Sequence, residues 1–410
     1  MAKSKKYHWE IGGALPTIEE HSLLKLNIIE KYLEAYMKHL TIHPFSTTLK
    51  FAIIDGFSGG GIYNFKGNEI FGSPLRILET IQRVKTEITL QRQNDNRGLV
   101  KFDIPVYCIE KDKKIYDFLI QAINQRNFKN NAAVVNGEFA TTYQRIIKEL
   151  RDKKYNKAIF ILDQYGYSDA NISTIRNILT SFKNAEIILT FACDSLIDYL
   201  SEKNITALSN LGLDMCNIEY LLDTKQEDDR NRNALRAALL NGIIQQVGAC
   251  FYTPFFIKGR ETHRAYWLLH FSNHPIARNE MVKLHYEYYN SFIHYGGSGL
   301  DMFGYSTKDI ETFNTFLFAE EDKNKSVKCI ESQIDEKVAK HSAKTFGELI
   351  KSEINHTPAT IEVIQESLKE YLLYGDIEII NPKTNKLVKN HKNIKLDHII
   401  KRTKQQRFKF

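Results

Sequence analysis

Five short apolar runs, each stopping at a polar turn and each followed by residues at helical spacing, constrain this chain more than anything else in it. They lie at 51–54, 106–109, 132–135, 158–162 and 186–191. Apolar runs of that length without strict alternation fit strands buried on both faces. Helical patterns fall between them: from Ser73-Pro74, an N-cap followed by a first-turn proline, to about Val84, then 111–124, 142–150 and 173–182. A long amphipathic helix over 18–40 precedes the set, with Leu26, Ile29, Leu33 and Tyr36 on one face. Strands alternating with helices of roughly ten residues predict an α/β fold, a mainly parallel Rossmann-like sheet with right-handed crossovers.

The first strand runs into FAIIDGFSGGGIY at 51–63, and its glycines narrow the choice of ligand. Gly59, Gly60 and Gly61 let the backbone come close to something else. A Walker loop would end in Gly-Lys-Ser/Thr, whereas Ile62-Tyr63-Asn64 follows here. The G-x-G-x-x-G spacing of dinucleotide folds is also missing. A strand, an acid and a glycine turn suit the nucleoside pocket of S-adenosylmethionine (SAM) methyltransferases. Aromatic alternation at 251–257 and 265–271 around KGRETHR predicts an antiparallel hairpin closing the sheet, as in those enzymes.

Ligands of open α/β sheets sit beyond the carboxyl ends of the strands, so each strand end is read as a candidate. Asp55 with Gly56, Gly59, Gly60 and Gly61 would face the amino-acid part of SAM, Glu110 the ribose hydroxyls and Glu138 the adenine amino group, with Phe57 a further cofactor contact. Each carboxylate could equally cap a helix. Asp163-Gln164-Tyr165-Gly166-Tyr167 occupies the fourth strand end, where the methyl group should point. There Asp163 could hold or deprotonate a nucleophilic N–H or O–H, and Tyr165 could stack on a planar base. The Asp/Asn-Pro-Pro-Tyr/Phe tetrapeptide of amino-methyltransferases is absent, because Gln164 stands at the first proline. His21 and Lys25, four apart on one helical face, could reach the mouth of the pocket, but they read first as an ordinary surface pair.

The second half changes in texture. Residues 196–248 are helical and polar. From 344 onward come a short helix at 345–353, a second from Thr357-Pro358 to about Tyr374, and a ribbon from 376–380 and 386–388. Helix, helix, ribbon is the order of a winged helix. The second helix carries Glu362, Glu366 and Glu370, which repel phosphates, so the ribbon and tail are the better nucleic-acid candidates. From 381 to 410 there are ten basic side chains against the single acid Asp397, in a chain whose net charge is only +7. Lys383, Lys386, Lys389, Lys392, Lys401 and Arg402 are the candidate phosphate contacts. Five scattered cysteines show no C-x-x-C pair, so neither disulfides nor a zinc site is expected. No run of apolar residues is long enough to span a membrane, and a cytoplasmic location is expected.

The pieces HSLLKLNIIEKYLEAY (21–36), FAIIDGFSGGGIY (51–63), GSPLRILE (72–79), ILDQYGY (161–167), EIILTF (186–191) and YWLLHFSNHPIARNEM (266–281) resemble the three-Cys-motif partner (TcmP) family. The resemblance implies a methyltransferase-like Rossmann core, a C-terminal helical or winged-helix part, and association with a partner carrying a three-cysteine, radical-SAM-like motif. It places Asp55, Gly56, Gly59 and Gly61 in the family's glycine motif, and Asp163 with Gly166 in its Asp-Pro-Phe/Tyr-Gly turn. Gln164 replaces the proline of that turn, and the replacement is expected to loosen it.

The expected organisation is a helical extension at 1–48, a methyltransferase-like core at 49–290 with a helical insertion at 196–248, a helical linker at 291–343, and a winged-helix-like domain with a basic tail at 344–410. The expected function is SAM-dependent methyl transfer to a nucleic acid, DNA or RNA, or to a nucleoside-containing substrate. The alternative is a non-catalytic adaptor of the same fold that binds nucleic acid or the three-cysteine partner.

Overall fold

The computed structural model describes residues 7–128, 131–164, 169–200, 205–227, 232–258, 265–287, 292–294, 314–316, 330, 333, 337–338 and 344–403. The chain divides into two compact units, Met1–Ala249 with Pro254–Asn273, and Cys250–Thr253 with His274–Phe410.

In the first unit the elements are α1 (Glu20–Thr41), β1 (Thr48–Lys50), β2 (Ala52–Asp55), β3 (Ile62–Phe65), β4 (Asn68–Phe71), α2 (Ser73–Asn94), β5 (Lys101–Asp103), β6 (Val106–Glu110) and α3 (Lys113–Gln125). They continue as β7 (Ala132–Asn136), α4 (Phe139–Asp152), β8 (Lys157–Leu162), α5 (Ile172–Ser181), β9 (Asn184–Phe191), α6 (Cys193–Tyr199), α7 (Ile205–Leu211), α8 (Met215–Glu227) and α9 (Arg232–Val247). Two strands close the series, β10 (Phe251–Lys258), whose first three residues are counted with the second unit, and β11 (Ala265–Ser272).

Seven strands form one sheet in the order β10-β11-β9-β8-β2-β6-β7. β7, β6, β2, β8 and β9 are parallel, and β11 runs antiparallel beside β9, with Trp267 opposite Phe191 and Ser272 opposite Glu186. A late strand reversed and inserted next to the fifth parallel strand is the Rossmann-like methyltransferase arrangement, so the expected fold class is the observed one. β2 sits at the centre with every residue buried, which is why its sequence is purely apolar up to Asp55.

The stretch between the glycine turn and α2 folds as the β3–β4 hairpin. α2 runs past the expected end near Val84 to Asn94, because Val84, Ile88 and Arg92 continue its buried face. Arg92 ties the far end of the helix down by donating to the carbonyls of Thr41, His43 and Gly98 at 2.8–2.9 Å. α1 lies against the sheet: the rings of Tyr36 and Phe51 are 5.0 Å apart, and the Tyr32 hydroxyl donates to the fully buried Glu186 on β9, which also faces His270 on β11 at 3.4 Å. A carboxylate enclosed by a phenol and an imidazole has partners in place of water.

The second unit contains α10 (Pro275–Glu287), an antiparallel pair β12 (Phe292–His294) and β13 (Asn314–Phe316), α11 (Phe346–Glu353), α12 (Ile361–Ser367), α13 (Lys369–Leu373), β14 (Ile377–Ile380) and β15 (Ile399–Arg402). Thr345 and Glu348 form a capping box at the start of α11. The helix expected to begin at Thr357 starts at Ile361, capped by Thr360, and is interrupted at Leu368. β14 and β15 are antiparallel, Thr345 bridges Ile399, and Ile380 bridges Leu387. Phe346, Leu349, Ile354, Ile364, Ile379 and Ile400 make the core. Arg278 of α10 is fully buried and donates to the carbonyls of Ala359 and Thr357; burial pulls its pKa down to about 9.

Candidate functional site

The carboxyl ends of β6, β2 and β8, adjacent in the sheet, carry Glu110, Asp55 and Asp163. β2 ends in Asp55, opposite Cys108 on β6 and Ile161 on β8. Its carboxylate has no solvent exposure; it accepts from the Ser73 hydroxyl at 2.7 Å and the Phe57 amide at 3.4 Å. Ser73, expected to cap α2, bonds instead to Asp55, and Gly72 takes the cap position. Desolvation raises the Asp55 pKa to about 7, with the nearby charge of Asp163 adding to the rise and the hydrogen bonds from Ser73 and Phe57 opposing it.

Glu110 holds the glycine turn against the next strand. Its Oε2 accepts from the Gly59 amide at 3.1 Å and its Oε1 from the Asp112 amide at 2.8 Å. Asp112 in turn caps α3, accepting from the amides of Lys114 and Ile115. Glu138 stands at the N-cap position of α4 with an exposed side chain and no capping bond.

The glycines turn out to be required by the chain's own side chains. A Cβ on Gly56 would lie 2.8 Å from Leu162 and 2.9 Å from Phe139, so Gly56 lets α4 close on β8. One on Gly61, at φ +78°, would lie 2.9 Å from Leu119. Gly59 and Gly60 both face Trp9, whose indole ring atoms would lie 3.0 Å and 2.4 Å from the added carbons. Trp9 is 4% exposed, donates its indole N–H to the Ile62 carbonyl at 2.6 Å, and stands edge-on to Tyr63 at 5.1 Å. Phe57 packs on Phe139 at 5.4 Å and keeps part of its surface open. Sequence reasoning missed Trp9 entirely; an isolated Trp ahead of Gly12-Gly13 and a triple glycine elsewhere carry no visible link until the chain folds.

Asp163, just past β8, meets Lys25 of α1. The ammonium donates to both carboxylate oxygens, at 2.7 and 2.8 Å. Lys25 is therefore no surface residue: its side chain is 9% exposed, while that of Asp163 is 44% exposed. Desolvation alone would raise the Asp163 pKa, but Lys25, followed by Thr190 and His21, holds it below the usual carboxylate value. Asp163 thus stays ionised and serves as a hydrogen-bond acceptor in preference to a proton sink.

Most of the turn that Gln164 enters, 165–168, lies outside the described residues, but Gln164 itself is held firmly. Its side chain is buried, with Oε1 accepting from the Ala170 amide at 2.9 Å and Nε2 donating to the Ala170 carbonyl at 3.3 Å. A side chain that reads both backbone groups of one residue ties Gln164 to Ala170 as a backbone pair would. Gln164→Ala is expected to cost about 1–2 kcal/mol, since it leaves buried backbone groups unpaired, and to increase protease cleavage within 164–170; the unfolding midpoint and the cleavage map check both. Tyr165 lies outside the described residues, as does the tail beyond Thr403.

In the second unit Lys383, Lys386, Lys389, Lys392, Lys401 and Arg402 are all exposed on and around the β14–β15 ribbon. The acids of α12 are engaged within the unit, Glu362 with Lys283 at 2.8 Å and Glu366 with His391 at 2.7 Å. Among the described residues there is no cluster of His, Cys, Asp and Glu able to hold a metal ion, and no helix long and apolar enough to cross a membrane.

No protein-family model matches the chain, and no curated protein does. Solved structures that resemble it include the human methyltransferase 10 domain containing protein, at 10% identity and a TM-score of 0.29 over 65% of this chain and 89% of that one. The METTL16 MTase domain follows at 11% identity and a TM-score of 0.26, over 58% of this chain and 66% of that one. The bifunctional kinase-methyltransferase WbdD gives 10% and 0.30, over 61% of this chain and 39% of that one. The fold assignment rests on the strand order itself.

Proposed function

We propose that the first unit binds an adenosyl cofactor at the carboxyl ends of β2 and β6 and transfers its methyl group to a nucleic acid or nucleoside-containing substrate. The observation that carries the reading is the set of three carboxylates on adjacent strand ends around a glycine turn, in a sheet of methyltransferase order. The residue types suit the cofactor: Glu110 for the ribose hydroxyls, Phe57 and Glu138 for the base, and Asp55 with the Gly59–Gly61 backbone for the amino-acid end. SAM, when bound, supplies an electrophilic methyl group.

The chain's own part would be to place the acceptor. Asp163, fixed by Lys25 and ionised, takes a hydrogen bond from the N–H or O–H of the acceptor and favours the positive charge that develops there as the new bond forms. Its low basicity leaves the proton on the acceptor atom during transfer, to be lost to water afterwards. The exposed basic ribbon of the second unit, read as the wing of a winged helix, and the tail after it would bind phosphates without regard to base sequence. The three-cysteine partner belongs to the adaptor alternative, in which the same fold serves as a docking platform.

Isothermal titration of the full chain with SAM and with S-adenosylhomocysteine tests the reading. Micromolar binding, about −8 kcal/mol, weakened at least tenfold by Glu110→Ala, is the expected result. No heat with either ligand, from folded protein at high concentration, would leave the adaptor as the function.

A further inference from the structure

The N-terminal segment closes the glycine turn through Trp9, with Tyr7 packed beside it, its ring 5.9 Å from the indole and 5.3 Å from Tyr63. Pro16 to Ile18 are fixed to the β3–β4 hairpin: the Asn64 amide donates to the Pro16 carbonyl and the Ile18 amide to the Asn64 carbonyl, both at 2.9 Å. Towards the N-terminus, Glu10 to Ala14 are all exposed, and the backbone bond from Gly13 to the Glu10 carbonyl stays within the segment. Gly12 sits there at φ +79° with open space around it. Beyond this tether Trp9 is 4% exposed, wedged against Gly59 and Gly60 and bonded to the Ile62 carbonyl. Two packed aromatics, Trp9 and Tyr7, on an exposed glycine tether joined to an anchored strand have the make-up of a strap whose opening costs the contacts of those two rings and little else.

What the strap covers is the surface that an adenosyl ligand uses in this fold. Gly60 is buried beneath the indole, and Asp55 behind the turn has no solvent exposure. We propose that Trp9 gates the cofactor cradle: the strap swings about Gly12-Gly13, and the adenosyl ligand binds the Gly59-Gly60 backbone in the place the indole leaves. This inference rests on the cofactor reading above, and it makes ligand affinity depend on the energy that holds Trp9 down.

The test measures S-adenosylhomocysteine affinity by titration in the full chain, as wild type and as Trp9→Ala, and follows Trp9 emission in a Trp267→Phe background, since these two are the chain's only tryptophans. Expected are at least tenfold tighter binding by Trp9→Ala and a red shift of Trp9 emission on saturation with the ligand. Gly60→Ala supplies a second variant that leaves the strap sequence intact: its methyl group would meet the indole at 2.4 Å, so Trp9 emission should shift red without any ligand. Equal or weaker binding by Trp9→Ala with unchanged emission on saturation would overturn the gate while leaving the cofactor reading standing. If neither wild type nor Trp9→Ala binds the ligand, the cofactor reading fails, and the gate with it.

Discussion

Asp163→Ala is expected to destabilise the first unit by about 3 kcal/mol, and Lys25→Met by only about 1 kcal/mol. The asymmetry follows from where each member of the pair sits. Lys25 has a side chain only 9% exposed, so removing Asp163 strands an ammonium with little water to replace two short charged bonds. Asp163 is 44% exposed, and water takes over much of what Lys25 supplied. Lys25→Met also keeps most of the buried aliphatic stem in place. Urea unfolding at neutral pH, read as midpoint shifts at constant slope, checks the order. Equal losses would mean that the two side chains share one environment, contrary to the arrangement seen here. Lys25→Arg should recover less than charge alone suggests, because a planar fork replaces a compact ammonium in a packed site.

The second large effect concerns Asp55 and pH. Its folded pKa is raised from 3.8 to about 7, chiefly by desolvation. Below pH 4 the carboxyl is protonated in both folded and unfolded chains, so it adds nothing to the pH slope there. Between about pH 4 and 7 the unfolded chain loses the proton while the folded chain keeps it, so stability falls as pH rises. A shift of this size corresponds to about 4 kcal/mol lost across that window. Asp55→Asn keeps an oxygen for Ser73 and Phe57 and carries no charge, so it should gain on the wild type by most of that amount at pH 8 and by little at pH 4. Paired urea titrations at the two pH values decide it; a constant difference between the proteins would show that Asp55 is not the group whose ionisation opposes folding.

Both predictions centre on carboxylates that are visible in the sequence as strand ends, and much else was legible in the same way. The apolar runs, the helical spacings between them and the aromatic alternation after residue 250 specify a parallel sheet closed by a reversed strand, because burial on both faces leaves each run little choice of partner layer. The polar stops at Asp55, Glu110 and Asp163 mark the carboxyl ends of those strands for the same reason: a chain leaving a buried strand must turn there.

Other features depended on residues far apart in the chain meeting in space. The glycine turn shows in sequence that backbone must approach something, yet Trp9, more than fifty residues upstream of Gly61, is what fills the space at Gly59 and Gly60. Lys25 reads first as a surface residue and second as one near the pocket mouth, and only the packing of α1 on the sheet brings it to Asp163. Gln164 reads as a departure from a proline motif, and its pairing with Ala170 shows only in the fold. The chain by itself therefore determined the layers and the mainly parallel character of the sheet, since these follow from local periodicity and the need to bury apolar surface, while the strand order came from the fold. The tertiary structure alone decided which carboxylate keeps its proton well above the usual range, which is held ionised, and what lies on the glycines, since each depends on desolvation and on partners that sequence spacing does not reveal.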